Sequence, residues 1–282
     1  MPYHNSQNYF HSSTDQCRCF WQKWIPDVPI QRVLVFHHGL GEHSGRYQNL
    51  LNYFEGSGTA FYAMEARGHG RSEGKRGHVK PLILYAYDLE DFMQIVLEDQ
   101  QTDKVFLMGH SLGGMIAALY ASLNQNHLKG LILSSAGIEV YMTPYLKVAK
   151  GASKILASLL PSLTLGANLN QKYLSHDPQV IEDYQADPLV HGMASASLGY
   201  ELFKVHKYLY EHAPEINVPL YVMHGNADRI TSPEGSKKFY ELAGSTDKSL
   251  RLYDKLYHEM MNELTEDREK VLDDLKKWVL AH

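Results

Sequence analysis

One short stretch of the chain could do covalent chemistry. Gly109-His110-Ser111-Leu112-Gly113 fits G-x-S-x-G, the spacing that lets a serine sit on a sharp strand-to-helix turn with small residues where the chains must pass closely. A serine hydroxyl is a poor nucleophile until a base takes its proton, so the motif asks for a histidine and for an acid to orient it. Of sixteen histidines, His258 follows the last predicted strand in Leu256-Tyr257-His258, just before a terminal helix. Asp228 closes Met223-His224-Gly225-Asn226-Ala227-Asp228, directly after another predicted strand. The chain order Ser, Asp, His is one of the known orders of such a triad. Asp254 is the rival acid, but it shares a strand-loop segment with His258 and is less easily placed opposite it. His110 would point away from a tight turn, and His37, His38, His69, His78 and His224 read as strand-end histidines satisfied locally.

A triad of this kind attacks a carbonyl, and the tetrahedral intermediate needs two backbone N–H groups aimed at its oxyanion. Leu112, the residue after the serine, supplies one. Leu40, in the loop His38-Gly39-Leu40-Gly41, supplies the other, its glycine neighbours letting the backbone come close to substrate. Loss of one such donor typically costs about 3 kcal/mol of transition-state stabilisation. Nothing in this chemistry calls for a metal or an organic cofactor.

These side chains must be held by strand ends. The apolar runs at 32–37, 59–65, 104–108, 128–134, 219–224 and 249–253 read as strands, and the segment near 17–24 as a further strand at the entry, part of a hairpin. Leu89, Phe92, Met93, Val96 and Leu97 repeat at helical spacing. Near the C-terminus Thr265 is placed to cap a helix whose buried stripe is Val271, Leu272, Leu275, Trp278 and Val279. Strands alternating with helices predict a mostly parallel central sheet covered on both faces. The alternation breaks from about Glu139 to Ala213, a mostly helical stretch punctuated by prolines and read as a cap inserted before the last two strands. The expected division is therefore 1–138 with 214–282 as the core and 139–213 as the cap. Within it, Thr143 caps and Pro144 opens a helix with Tyr145, Val148, Ala149, Ala152, Ile155, Leu156, Leu159 and Leu160 on its apolar side and Lys147, Lys150 and Lys154 on the other. That build suits both a lid over an apolar tunnel and a helix lying in a membrane interface.

The bulk numbers set the class. The 282 residues, 44% hydrophobic and 21% charged, have an ordinary globular balance, and a net charge of -5 gives no electrostatic reason to expect nucleic acid. No signal-like start and no membrane-length apolar run is evident, so a cytoplasmic protein, peripheral at membranes, is the expectation. Cys17 and Cys19 read as ordinary strand thiols.

Together the segments His38-Gly39-Leu40-Gly41-Glu42-His43-Ser44-Gly45-Arg46-Tyr47, Gly68-His69-Gly70-Arg71-Ser72-Glu73-Gly74, Gly109 to Gly114, Gly225 to Arg229 and Tyr257-His258 resemble the monoacylglycerol lipases and their lysophospholipase relatives, which are α/β-hydrolases. The resemblance runs in order from about residue 30 to the C-terminus. It implies an α/β-hydrolase fold with a helical cap, an apolar acyl tunnel beneath it and a polar end for the glycerol head. It also implies a substrate-binding role for Glu42 and Arg46, with Tyr184 as a cap tyrosine near the head. The implied substrate is a single-chain lipid ester, a monoacylglycerol, with a lysophospholipid or a broad range of carboxylic esters as the alternative. Apart from the resemblance, the basic face formed by Lys147, Lys150 and Lys154 adds the expectation of transient membrane-surface contact through the cap.

Overall fold

The computed structural model describes residues 3–142, 144–167 and 170–282, the side chains of 144–146 and 149 excepted. Eight strands form one sheet: β1 (Tyr3–His11), β2 (Arg18–Pro26), β3 (Arg32–His37), β4 (Thr59–Met64), β5 (Val105–His110), β6 (Leu128–Ser134), β9 (Leu220–Gly225) and β10 (Lys248–Tyr253). Their order across the sheet is β1-β2-β4-β3-β5-β6-β9-β10. From β4 to β10 every pair is parallel, whereas β1 and β2 form an antiparallel hairpin that joins β4 antiparallel. The remaining two strands, β7 (Thr164–Gly166) and β8 (Met193–Ser195), pair with each other away from this sheet.

Parallel strands buried on both faces are built mostly of apolar residues, and β4, β5 and β9 are buried throughout, their few polar members, Thr59, His110 and His224, standing at or next to strand ends. Alternate residues then feed two cores. Val33 and Val35 of β3 face the core of α2 (Leu84–Gln100) and α3 (Leu112–Leu123), where Phe92 and Met115 pack. Leu34 and Phe36 face the opposite core, which holds α1 (Gln48–Tyr53) and α8 (Thr265–Ala281) through Leu51 and Leu275.

The stretch between β6 and β9 carries α4 (Pro144–Leu159), α5 (Pro178–Ala186) and α6 (Ala196–His212), and α7 (Pro233–Leu242) follows β9. Two expectations shift here. The stretch, which shows no clear strand in its sequence, holds two, β7 and β8; each is three residues long and exists only through the other, so no local pattern announces it. Thr265 is not a cap but the first helical residue of α8, with Leu264 at the cap position and the Thr265 hydroxyl accepting from Arg268 instead. Thr143 and the side chains of Tyr145 and Ala149 lie outside the described residues. Among the described residues, no helix is long and apolar enough to cross a membrane.

Candidate active site

Ser111 stands between β5 and α3 with φ 54° and ψ −120°, a conformation that costs a non-glycine residue about 1–3 kcal/mol. The turn is held from both sides: Ser111 N–H donates to the Ser134 carbonyl at 3.0 Å, and its own carbonyl accepts from Gly137 at 2.8 Å and Met115 at 3.1 Å. The flanking glycines are required by contact. A Cβ on Gly109 would stand 2.2 Å from the Gly113 carbonyl oxygen, and one on Gly113 2.2 Å from the His37 carbonyl oxygen.

His258 and Asp228 come together from the loops after β10 and β9, with Nδ1 of the imidazole 2.7 Å from Asp228 Oδ2. Because the carboxylate accepts, Nδ1 carries the proton and Nε2 is left as the basic nitrogen. The Asp228 carboxylate is almost fully enclosed. Its Oδ1 accepts from the Ile230 and Thr231 amides at 2.7 and 3.1 Å, and its Oδ2 also meets His224 Nε2 at 3.1 Å. Thr231 Oγ1 lies 2.9 Å from Oδ2 and 3.1 Å from the Ser135 carbonyl oxygen, two acceptors for one proton. Burial alone would raise the Asp228 carboxyl, but the His258 charge and the donors from both histidines hold it far below the carboxylate range. Burial likewise works to lower His258, and the Asp228 charge with its hydrogen bond overrides it and raises the imidazole. His110, 4.8 Å from His258 between ring centroids, is pushed down to about 4 by burial and then by His258 itself. Asp254 accepts from Asn226 on the surface and takes no part.

The His258 backbone is fixed on three sides. Ser135 Oγ donates to its carbonyl at 2.8 Å, its N–H donates to the Tyr173 carbonyl at 3.2 Å, and the Glu259 N–H donates to the Leu174 carbonyl at 2.7 Å. Among the described residues neither Ser111 Oγ nor His258 Nε2 makes a hydrogen bond, so the serine–histidine link is left for the reaction to close.

Leu40 and Leu112 both line the same cavity as Ser111, and among the described residues neither backbone N–H donates to another group. The Leu40 loop is braced through its neighbours. Gly39 N–H donates to Glu42 Oε1 at 2.6 Å, and His38 bridges the Gly39 carbonyl and the Ala66 amide at 2.8 and 3.0 Å.

Glu42, Arg46 and Tyr184 are also brought together, but none of them lines that cavity. Arg46 donates to Glu42 Oε2 at 2.7 Å and forms a two-pronged pair with Glu259 at 2.7 and 2.9 Å, while its guanidinium lies 4.7 Å from the Tyr184 ring centre. Tyr47 donates its hydroxyl to Glu42 Oε1 at 2.9 Å. Burial opposes ionisation of both glutamates, and the Arg46 charge overcomes it and holds each below its ordinary range. Burial, then the Glu42 charge, pushes Tyr184 up to about 12. The sequence does not single out Glu259 or Thr231, and His224, expected to be satisfied locally, finds its partners in Asp228 and Ser236. Nearness in sequence to His258 and Asp228 is the only signal the three give.

The cavity at Ser111 has a volume of about 340 Å³, and among the described residues no charged side chain lines it. Its walls come from the Leu40 loop, from Ile230, and from α4 and α6 through residues such as Leu156, Leu202 and Phe203. An apolar slot at a strained serine suits an apolar chain with a carbonyl at one end.

The family described as serine aminopeptidase S33 (Hydrolase_4) matches residues 28–265. The chain is 33% identical over 268 residues to a monoacylglycerol lipase of Mycolicibacterium smegmatis, covering 94% of each chain. It is 31% identical over 261 residues to the monoglyceride lipase of Homo sapiens, covering 92% of this chain and 86% of that one. Among solved structures, the monoacylglycerol lipase of Paleococcus ferrophilus superposes with a TM-score of 0.81 at 31% identity over all of both chains. A soluble variant of the Saccharomyces cerevisiae monoglyceride lipase reaches a TM-score of 0.86 at 24% identity, covering 96% of this chain and 94% of that one; it speaks to the fold alone.

Proposed function

The chain belongs to the serine aminopeptidase S33 family and has the α/β-hydrolase fold, and from that premise we propose that it is a carboxylic ester hydrolase that cleaves monoacylglycerols to fatty acid and glycerol. The observation that carries the reading is the apolar cavity of about 340 Å³ opening at Ser111. A peptide substrate with a free amino terminus would ask for an acidic side chain at that wall, and among the described residues none lines it. A single acyl chain asks only for the apolar surface that is there.

In this reading Ser111 Oγ attacks the ester carbonyl while His258 Nε2 takes its proton. The oxyanion settles between the Leu40 and Leu112 N–H groups, and the resulting imidazolium is stabilised by Asp228. His258 then returns the proton to the glycerol oxygen as it leaves, giving an acyl-serine. A water deprotonated by the same nitrogen attacks the acyl carbon, and collapse releases the fatty acid and restores Ser111.

Residues 139–213 act as the cap, and α4 is its contact with lipid. Val148, Ile155 and Leu159 are 75%, 63% and 72% exposed, and Lys147, Lys150 and Lys154 stand exposed on the same helix. Apolar side chains bordered by lysines suit docking of a cytoplasmic protein on an anionic lipid surface.

The deciding experiment is a head-group panel: fatty acid released from a monoacylglycerol, a lysophosphatidylcholine and a short p-nitrophenyl ester, with Ser111→Ala alongside. Preference for the monoacylglycerol, lost in Ser111→Ala, is the expected outcome. Preference for the lysophospholipid would keep the mechanism and change the substrate, and turnover surviving in Ser111→Ala would overturn both.

A further inference from the structure

His224 is the penultimate residue of β9, its side chain fully buried, four residues before the acid of the triad. Besides Thr231 Oγ1, which lies 3.3 Å from Nε2, its two nitrogens have one partner each. Nε2 meets Asp228 Oδ2 at 3.1 Å, and Nδ1 meets Ser236 Oγ of α7 at 2.7 Å. An ionised carboxylate only accepts, so Nε2 must carry a proton and donate it. Ser236 is also buried, and among the described residues its hydroxyl has no other partner, so its proton is given to His224 Nδ1. Asp228 thus fixes the proton on Nε2, and Nδ1 is left to accept from Ser236, which holds the ring from its other side.

We propose that His224 is a positioning residue of the triad: a second imidazole, locked by Ser236, that holds the same carboxylate oxygen which orients His258. The assignment rests on the triad reading above. Its consequence is division of charge. Asp228 Oδ2 faces two imidazole N–H groups rather than one, so it is aimed from the α7 side as well as from the loop. Its hold on the His258 imidazolium is also weaker than that of a carboxylate devoted to one partner. A base that must give its proton back to a leaving oxygen benefits from that restraint. The other charged and titratable groups around His258 lie elsewhere: His110 at the end of β5, Glu42 after β3 and Glu259 on its own loop. None of them touches Oδ2; besides His258, that oxygen meets only His224 and the Thr231 hydroxyl among the described residues, and of these two only His224 brings an imidazole.

The test is the pH profile of p-nitrophenyl butyrate hydrolysis in His224→Leu, which removes the donor and keeps most of the volume, and in His224→Gln, which can donate to the carboxylate. In His224→Leu, kcat should fall on the order of tenfold with KM nearly unchanged, and the acid limb of kcat/KM should move up by about half a pH unit, as Asp228 becomes more basic toward His258. His224→Gln should recover most of both. A wild-type kcat and acid limb in His224→Leu would overturn the proposal. So would a loss of activity that follows the folded fraction with the limb unmoved, since that is a packing effect. If His224→Leu does not fold, Ser236→Ala keeps the imidazole but removes the hydroxyl that orients its ring on Asp228; it should lower kcat and shift the limb, and no change in either overturns the proposal. Ser111→Ala run in parallel separates the claims, because turnover surviving there sinks the triad reading, whereas a wild-type profile in His224→Leu sinks only the role of His224.

Discussion

At the scale of single residues, the site works by setting protonation states apart. Burial presses His258 toward the neutral form and Asp228 presses harder the other way, so its imidazole titrates above the ordinary value of 6.5. Only the unprotonated Nε2 can take the Ser111 proton, so activity must fall as pH falls through that raised value. The expected result is an acid limb of kcat/KM above pH 6.5, measured on a soluble p-nitrophenyl ester; a limb well below it would contradict the assignment. His110 does not blur the reading, since burial has already pushed it down to about 4. Ser111, Asp228 and His258 could be picked out from the sequence because each follows a strand and their order is restricted. Glu259 and His224 could not, because their roles depend on which oxygen of which carboxylate they face. Primary sequence carries no trace of that.

At the scale of elements, two loops and the helix α5 meet at one arginine. Arg46 ties Glu42, which holds the Leu40 loop by Gly39, to Glu259, which adjoins His258, and Tyr184 of α5 lies over the guanidinium. Side-chain exposures of 10% for Arg46 and about 5% for its two partners leave little water to replace a lost ion. Glu259→Gln therefore leaves a buried guanidinium short of one negative partner, and should lower stability by about 3 kcal/mol in urea unfolding. A change below about 1 kcal/mol would mean that the charge is compensated by solvent. Strand positions β3, β4, β5 and β9 were legible because burial on both faces leaves an unbroken apolar run. The polar edge strand β1 has only Tyr3 and Phe10 buried, so as a sequence it shows little more than the hairpin that β2 requires.

At the scale of the whole molecule, the question is where a substrate from a lipid phase enters. With Ile155 and Leu159 exposed on α4, Ile155→Asp with Leu159→Asp should reduce co-sedimentation with anionic vesicles and slow hydrolysis of dispersed monoacylglycerol, leaving the soluble ester untouched. Unchanged sedimentation in that variant, and in a charge reversal of Lys147, Lys150 and Lys154, would remove the docking surface. The sequence pattern of α4 marked its apolar residues without saying which would face inward. Tertiary placement divides them, with Leu156 on the cavity and Ile155 and Leu159 in solvent. One contact sets a limit on redesign. Gly41, at φ +78°, accepts the His191 N–H at 2.8 Å, and a Cβ there would stand 2.0 Å from the His191 carbonyl oxygen. The stretch between β6 and β9 is thus not an interchangeable module. A graft taken from another hydrolase to change substrate range would have to reproduce the backbone around His191, or it would displace the loop that carries Leu40 and lose turnover for every substrate alike.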